Sequence, residues 1–232
     1  MRDAMLKKLW APFLLAFSLH SHAATLKPFE AHYSAEIDAG ITVGASAVRS
    51  LQQTADGHWI LSIRIENALA SLNESTEFRL QNGTVQPLHY EFLRKVLGKK
   101  RSAVLDFDWE QKRVHNNVQD KPWHMEIPEH TQDKLSYQAQ LLLDLENAAK
   151  QYKYDVATGG KLDSYVFENV GTEQIKTPAG TFETIKLKRV REPGSDRETL
   201  IWLAPALDYQ IVQLQQVEKD DKTYRLVLKS LN

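Results

Sequence analysis

The stretch that decides the fold is Phe29-Glu30-Ala31-His32-Tyr33-Ser34-Ala35-Glu36-Ile37-Asp38, in which apolar and polar residues alternate. Successive side chains of a β-strand point to opposite faces, so this period of two predicts a strand with one packed and one wet face. A parallel sheet covered on both faces would give continuous apolar strands instead. The pattern therefore favours an antiparallel sheet.

The same alternation recurs along the chain, in Trp59 to Ile65, Ala103 to Trp109 and Tyr224 to Leu228. Asp56-Gly57 and Asn82-Gly83 separate such runs and can adopt the positive φ angles of tight hairpins. Repeated strands with short turns between them predict a sheet built from hairpins.

One segment has helical periodicity instead, with Leu135 and Leu142 on its apolar side. We predict a helix over roughly Gln132 to Lys150, capped by Thr131 or Asp133. The predicted fold class is β-rich α+β: a single antiparallel, strongly curled sheet or open barrel of about ten strands, with one main helix packed on it.

The N-terminus has the order of a secretory signal. Arg2, Lys7 and Lys8 precede an apolar stretch from Leu9 to Leu19, and Ser21-His22-Ala23 supplies small residues for cleavage. We predict a signal peptide over residues 1–23 and a single β-rich periplasmic domain over 24–232. An uncleaved anchor or a buried helix is the alternative for this segment.

The composition narrows the class of protein. The 232 residues include no cysteine, which excludes disulfides, a thiolate nucleophile, a cysteine zinc site and a lipid-anchored lipoprotein. The formal net charge of −1 argues against a nucleic-acid binder, which normally carries a basic excess. We predict a soluble exported protein, with no transmembrane span after signal cleavage.

Five motifs occur in one order along nearly the whole mature chain. They are Phe29 to Tyr33 followed by Ile41-Thr42-Val43-Gly44, Phe107-Asp108-Trp109, Asp133-Lys134-Leu135-Ser136, Thr177-Pro178-Ala179-Gly180-Thr181-Phe182 and Ile201-Trp202-Leu203-Ala204-Pro205. This series resembles the bacterial domain of unknown function 3108 family. The resemblance implies an exported, β-rich envelope protein and supplies neither an activity nor catalytic residues.

Two of these motifs also have a direct physical interpretation. Pro178 presets the first corner of a turn and Gly180 relieves the later one, so we predict a tight strand reversal. Trp202 lies on an alternating strand, and we predict that it packs in the core.

A possible metal site is the cluster of His124, Glu126, Glu129 and His130. Pro128 prevents a regular helix between them, and the one-turn spacing of helical zinc sites is missing. We therefore interpret them as solvated loop residues and predict no metal or cofactor.

No sequence motif strongly indicates catalysis. Ser46 lacks the second glycine of a nucleophile elbow, and Gly159-Gly160-Lys161 is followed by Leu162 where a phosphate loop needs serine or threonine. We predict that the protein is not an enzyme, with a periplasmic hydrolase around Ser46 as the least favoured alternative.

The most distinctive charged feature is the segment Arg94 to Arg101, which we predict to be a hairpin turning at Gly98. Its cations are candidate contacts for a ligand or an anionic surface: Arg94, Lys95, Lys99, Lys100 and Arg101. Such a loop can attract anionic lipid head groups or phosphate-bearing polymers, although a solvated hairpin tip is the simpler interpretation.

Two functional hypotheses follow. The favoured one is a non-catalytic binder of an apolar or lipidic envelope ligand, held on the concave face of the sheet. The alternative is a structural or adaptor protein of the cell envelope that works through its surface. The volume inside the folded sheet distinguishes a cargo binder from a solid scaffold.

Overall fold

The computed structural model describes residues 25–38, 42–192, 194–220 and 222–232. These residues form one sheet of fifteen strands, one α-helix and two single-turn 3₁₀ helices. The strands are β1 (Phe29–Asp38), β2 (Thr42–Gln53), β3 (Trp59–Glu66), β4 (Ala70–Gln81), β5 (Thr84–Val96), β6 (Lys99–Asp108), β7 (Arg113–Val118), β8 (Lys121–Glu126), β9 (Gln132–Asp133), β10 (Gln151–Ala157), β11 (Leu162–Thr177), β12 (Gly180–Val190), β13 (Glu198–Ala204), β14 (Gln210–Val217) and β15 (Thr223–Leu231). The helices are α1 (Ser136–Asp144) and the 3₁₀ turns Leu145–Asn147 and Pro205–Leu207.

The sheet is a meander whose first and last strands meet in its middle. The strand order is β8-β7-β6-β5-β4-β3-β2-β1-β15-β14-β13-β12-β11-β10-β9. We call β1–β8 the first arm and β9–β15 the second arm. Neighbouring strands are antiparallel except for β9 and β10, which are parallel. The prediction of an antiparallel sheet is thus confirmed almost throughout.

Two parts of the predicted fold are wrong: the sheet has fifteen strands instead of about ten, and it is not strongly curled. Several strands lack clean alternation in the sequence. The edge strand β8 is exposed at nearly every position, and a bulge between Asn169 and Gly171 shifts the phase of β11. The sheet does not close into a barrel because its edge strands β8 and β9 do not pair with each other. Side-chain contacts join the two arms instead.

The alternation in the deciding stretch is confirmed by burial. Ala31, Tyr33 and Ala35 of β1 are buried in the core, whereas Glu30 and Glu36 are exposed. Apolar side chains on this face form one core that extends through both arms. Trp202, predicted to lie in the core, is buried there, and its indole N–H donates to Glu173 Oε2 at 2.9 Å.

Helix α1 is shorter than predicted and begins later. Gln132 and Asp133 belong to β9 instead, where they pair with Val156 and Ala157 of β10. Neither predicted cap, Thr131 or Asp133, is the N-cap of α1, which is Leu135 and makes no side-chain capping hydrogen bond. Asp133 Oδ1 instead accepts the backbone N–H groups of Leu135 and Ser136 at 2.8 and 2.7 Å. A short strand followed by a buried Asx turn therefore replaces the first predicted helical turn.

Helix α1 links the two arms. Gln140 Oε1 accepts the backbone N–H of Val85 in β5 at 2.7 Å, and Asp144 accepts the hydroxyl of Tyr154 in β10 at 2.8 Å. The ring of Tyr137 packs on Tyr165 and Phe167 of β11. The helix thus covers the apolar face at one end of the sheet.

The predicted turn at Pro178 joins β11 and β12. Thr177 Oγ1 donates to the carbonyl of Gly180 at 3.1 Å and accepts the N–H of Ala179 at 3.1 Å. Gly180 has φ 141°, a conformation that an L side chain rarely adopts. The predicted signal peptide lies outside the described residues.

Candidate functional site

A cavity of about 800 Å³ lies at the end of the sheet where β3 turns into β4 and β5 turns into β6. Its wall continues the apolar face of the core. The lining side chains are mostly small or aliphatic and include Ala35, Ala45, Ile63, Ile65, Ala70, Leu72, Val96, Leu214 and Leu226. The interior of the sheet is therefore filled at one end and open at the other.

Residue size along the strands explains why the cavity remains. At the filled end Phe29 pairs with Leu51, and Trp59 pairs with Phe78. At the open end Ala35 of β1 pairs with Ala45 of β2. Two methyl groups cannot occupy the space that aromatic rings fill elsewhere on the same face, so this end has room for an apolar guest.

The predicted cationic hairpin forms the mouth of this cavity. The turn at Gly98 is confirmed: Leu97 and Gly98 connect β5 to β6 with φ values of 46° and 79°. Arg94, Lys99 and Arg101 line the cavity.

The other two predicted site residues lie elsewhere on the same hairpin. Lys95 and Lys100 pair with each other and, by the alternation of the strands, project from the opposite face to Arg94 and Arg101. Neither of them lines the cavity. The structure therefore brings three of the five predicted contacts to the cavity.

The charge around the mouth is positive and unpaired. The cavity lining includes four cations, Arg94, Lys99, Arg101 and Arg225, against the two carboxylates of Glu36 and Glu66. Among the described residues, none of the five hairpin cations has an ion-pair partner within 4 Å. Free guanidinium and ammonium groups beside an apolar cavity can bind an anionic group.

The inner end of the cavity meets a polar layer. Ile63 lines the cavity and pairs with Arg49 on one side and with Glu74 on the other. Arg49 is only 1% exposed, and it donates one hydrogen bond to Gln210 Oε1 at 3.1 Å. Its Nε and Nη2 are buried without a hydrogen-bond partner, and burial lowers the pKa of its guanidinium.

Glu74 faces the interior and accepts the hydroxyl of Tyr90 at 2.5 Å. Burial raises the pKa of its carboxyl to about 7, against the opposing effects of the Tyr90 hydrogen bond and of Lys134. Next to it Asp133 is fully buried, and burial raises the pKa of that carboxyl as well. A polar, titratable layer therefore separates the open cavity from the packed core.

The serine considered as a nucleophile does not reach this cavity. Ser46 is exposed on the outer face of β2, where it pairs with Ser34 and Glu66. Of the four residues predicted to be solvated loop residues, His124 and Glu126 lie on the exposed edge strand β8, whereas Glu129 and His130 are exposed in the segment that follows it. Glu129 pairs with Lys112 at 2.8 Å, and Glu126 lies 3.8 Å from Arg113.

A different set of residues could hold a metal. Asp56, His58 and Glu77 each offer one ligand atom, and these atoms lie within 4.8 Å of one another. His58 Nδ1 is 2.7 Å from Glu77 Oε1 and 3.5 Å from Asp56 Oδ2. Hydrogen bonding and charge attraction account for this arrangement without an ion. No sequence pattern indicated this group, because Glu77 lies on β4 and reaches His58 only through the pairing of β4 with β3.

The sequence also did not predict which residues line the cavity. Its wall comes from β1–β6, β14 and β15, and only strand register brings Ala35, Ala45, Leu214 and Arg225 together. Small residue size alone does not mark the cavity in the sequence, because Ala31 and Ala47 on the same faces of β1 and β2 are buried in the packed core.

The structure is similar to solved proteins of the same architecture. A β-barrel-like protein of the domain of unknown function DUF1849 from Brucella abortus shares the fold, with a TM-score of 0.62 and 12% identity, over 90% of this chain and 99% of that chain.

Two further structures also match. A protein assigned as a lipoprotein from Parabacteroides distasonis is 13% identical over 89% of this chain and 96% of that chain, with a TM-score of 0.34. A domain assigned to outer membrane lipoprotein sorting from Vibrio parahaemolyticus is 11% identical over 88% and 84%, with a TM-score of 0.25. These two scores are too low to indicate a shared fold.

No curated protein sequence matches the chain. None of the helices in the described ranges has the length and apolar character that crossing a membrane requires. The sequence pattern of the family described as protein of unknown function (DUF3108) matches residues 28–229, so the chain belongs to the DUF3108 family.

Proposed function

We propose that this protein binds, without catalysis, a lipidic ligand whose acyl chain occupies the cavity and whose anionic head group lies at the mouth. The observation that carries the proposal is the apolar cavity of about 800 Å³ bordered by unpaired cations. Ligand sites in proteins are commonly of this volume and are apolar with a few polar groups that fix orientation.

The cations give the ligand its orientation. Arg94 and Arg101 pair directly across the hairpin, so two guanidinium groups reach the mouth side by side. Arginine binds phosphate and carboxylate oxygens through paired N–H donors. The expected ligand is a monoacyl lipid or fatty acid with one anionic head, and it is a component of the cell envelope if the chain is exported to the periplasm.

Native mass spectrometry of the protein, purified without detergent, tests whether a ligand is retained. The delipidated protein is then titrated with a monoacyl phosphatidylglycerol below its critical micelle concentration. We expect an additional lipid mass and saturable 1:1 binding. A clean unliganded mass from repeated preparations together with no heat of binding would contradict the proposal.

Three variants localise the binding. Ala45→Phe fills the cavity and should abolish saturable binding. The double variant Arg94→Glu/Arg101→Glu should weaken it more than tenfold, because two charge-assisted hydrogen bonds are lost. The matched control is Lys95→Glu/Lys100→Glu, which changes the same net charge in the same hairpin on the other face. Equal losses in the two double variants would mean that the attraction is nonspecific.

A further inference from the structure

Two exposed leucines lie together at the end of the molecule where the cavity opens. Leu69 is 62% exposed and Leu97 is 73% exposed, more than any other large hydrophobic side chain among the described residues. Leu69 is in the turn between β3 and β4, and Leu97 is in the neighbouring turn between β5 and β6. The N–H of Leu97 donates to the carbonyl of Leu69 at 3.1 Å.

Exposing two neighbouring leucines to water is unfavourable in free energy, because their apolar surface stays hydrated. Single exposed leucines are common, but these two turns are hydrogen-bonded to each other, and both leucines line the same surface depression. Leu97 moreover adopts a positive φ of 46°, a conformation that asparagine or glycine enters more readily. Fold requirements alone do not call for leucine there.

Cations lie beside the two leucines. Arg94, Lys95, Lys99, Lys100 and Arg101 belong to the hairpin that carries Leu97, and all five are exposed. Lys95 and Leu97 also border a shallow depression together with Leu69 and Gly98. Apolar side chains next to lysine and arginine match the interface of an anionic bilayer, where head groups lie above acyl chains.

We infer that this docking tip, formed by Leu69, Leu97 and the five hairpin cations, binds the surface of an anionic lipid bilayer. The leucines enter the acyl boundary while the cations contact the head groups. Leu97 also lines the cavity, so docking turns the cavity mouth towards the membrane. In this respect the inference rests on the proposed function, because the docked orientation allows a lipid to pass between bilayer and cavity.

Cosedimentation with vesicles tests the docking. The full chain is mixed with vesicles of phosphatidylcholine alone or with phosphatidylglycerol added, at low and high salt. We expect binding to the anionic vesicles that falls as salt rises. Leu69→Ser and Leu97→Asn should each reduce the partition coefficient about tenfold, since each removes one buried leucine. Leu80→Ser and Leu162→Ser are controls at other exposed leucines and should bind as the wild type does.

A second measurement reports insertion directly. Because the chain has no cysteine, Leu69→Cys and Leu162→Cys each give one site for an environment-sensitive fluorophore. Anionic vesicles should shift the emission of the label at 69 to the blue and leave the label at 162 unchanged. The inference would be overturned if the wild type did not sediment with anionic vesicles, or if Leu69→Ser and Leu97→Asn sedimented as much as the wild type. Equal emission shifts at labels 69 and 162 would also overturn it.

The two proposals fail separately. Leu69 does not line the cavity, so Leu69→Ser should retain binding of the soluble monoacyl lipid while it loses vesicle binding. Ala45→Phe should do the opposite. If Ala45→Phe keeps vesicle binding but the wild type takes up no soluble lipid, the docking tip stands and the cavity proposal falls.

Discussion

Glu74 is a buried carboxyl whose charge is expected to change near neutral pH. Its carboxyl faces the interior, accepts the Tyr90 hydroxyl, and has its pKa raised from 4.5 to about 7 by burial. The folded chain therefore holds this proton more tightly than the unfolded chain does. The stability that the protonated group contributes is fully present below pH 4.5 and is lost as the pH rises through 7.

Replacing Glu74 with glutamine should remove this pH dependence. Glutamine keeps the shape of the side chain and an oxygen that accepts from Tyr90, but it has no group that titrates in this pH range. Relative to the wild type, Glu74→Gln should gain about 3 kcal/mol in the free energy of unfolding between pH 4 and pH 8. Urea unfolding at both pH values measures this difference. The control is Glu183→Gln, at an exposed glutamate. Parallel pH profiles for wild type and Glu74→Gln would show that folding does not raise the pKa of Glu74.

At the scale of elements, the cationic hairpin contains like charges on paired strands, which lower its stability. Arg94 lies opposite Arg101, and Lys95 lies opposite Lys100. Like charges directly opposite in a sheet are destabilising, whereas opposite charges contribute about 0.2 to 1 kcal/mol. Some cations elsewhere in the sheet do have an acidic partner, as Lys188 has in Glu198 at 2.8 Å. The repulsion in this hairpin is consistent with a role in binding anions.

A single charge reversal should therefore stabilise the fold while it weakens ligand binding. Arg101→Glu converts a repulsive pair into an ion pair, and we expect the free energy of unfolding to rise by about 1 kcal/mol. The corresponding rise in Tm is about 2 to 4 °C at low salt. Lys153→Glu makes the same change in net charge opposite Val166 and should leave Tm unchanged. A lower Tm for Arg101→Glu would mean that the hairpin carries no net repulsion.

The elements also show what the sequence could and could not predict. Alternation located β1, β3, β6 and β15, because each has one buried and one wet face. It failed for the exposed edge strand β8 and for β9, whose two residues resemble a helix start. The hairpin cations were found from charge alone. The cavity was not, since pairing of Ala35 with Ala45 depends on a register that no local pattern specifies.

At the scale of the whole molecule, the open sheet depends on a bridge between its arms. Besides the helix, Gln132 of β9 donates from Nε2 to the carbonyl of Val85 in β5 at 2.8 Å. Thr76 of β4 donates to Asp133 of β9 at 2.6 Å. These contacts join β9, the edge strand of the second arm, to β4 and β5 in the middle of the first arm. We therefore expect the two arms to unfold as one cooperative unit, although their edge strands β8 and β9 are not paired.

The ring of Tyr137 tests that cooperativity, because it packs against Tyr154, Tyr165 and Phe167 on the second arm while its helix contacts the first. Tyr137→Ala should lower the free energy of unfolding by about 2 to 4 kcal/mol through loss of packing. Tyr137→Phe keeps the ring and should lower it by less than about 1 kcal/mol. Hydrogen exchange of Tyr137→Ala should then accelerate in β4 and β5 as well as in β10 and β11. Faster exchange confined to β10 and β11 would show that the arms unfold independently, and that the open sheet is two units joined at β1 and β15.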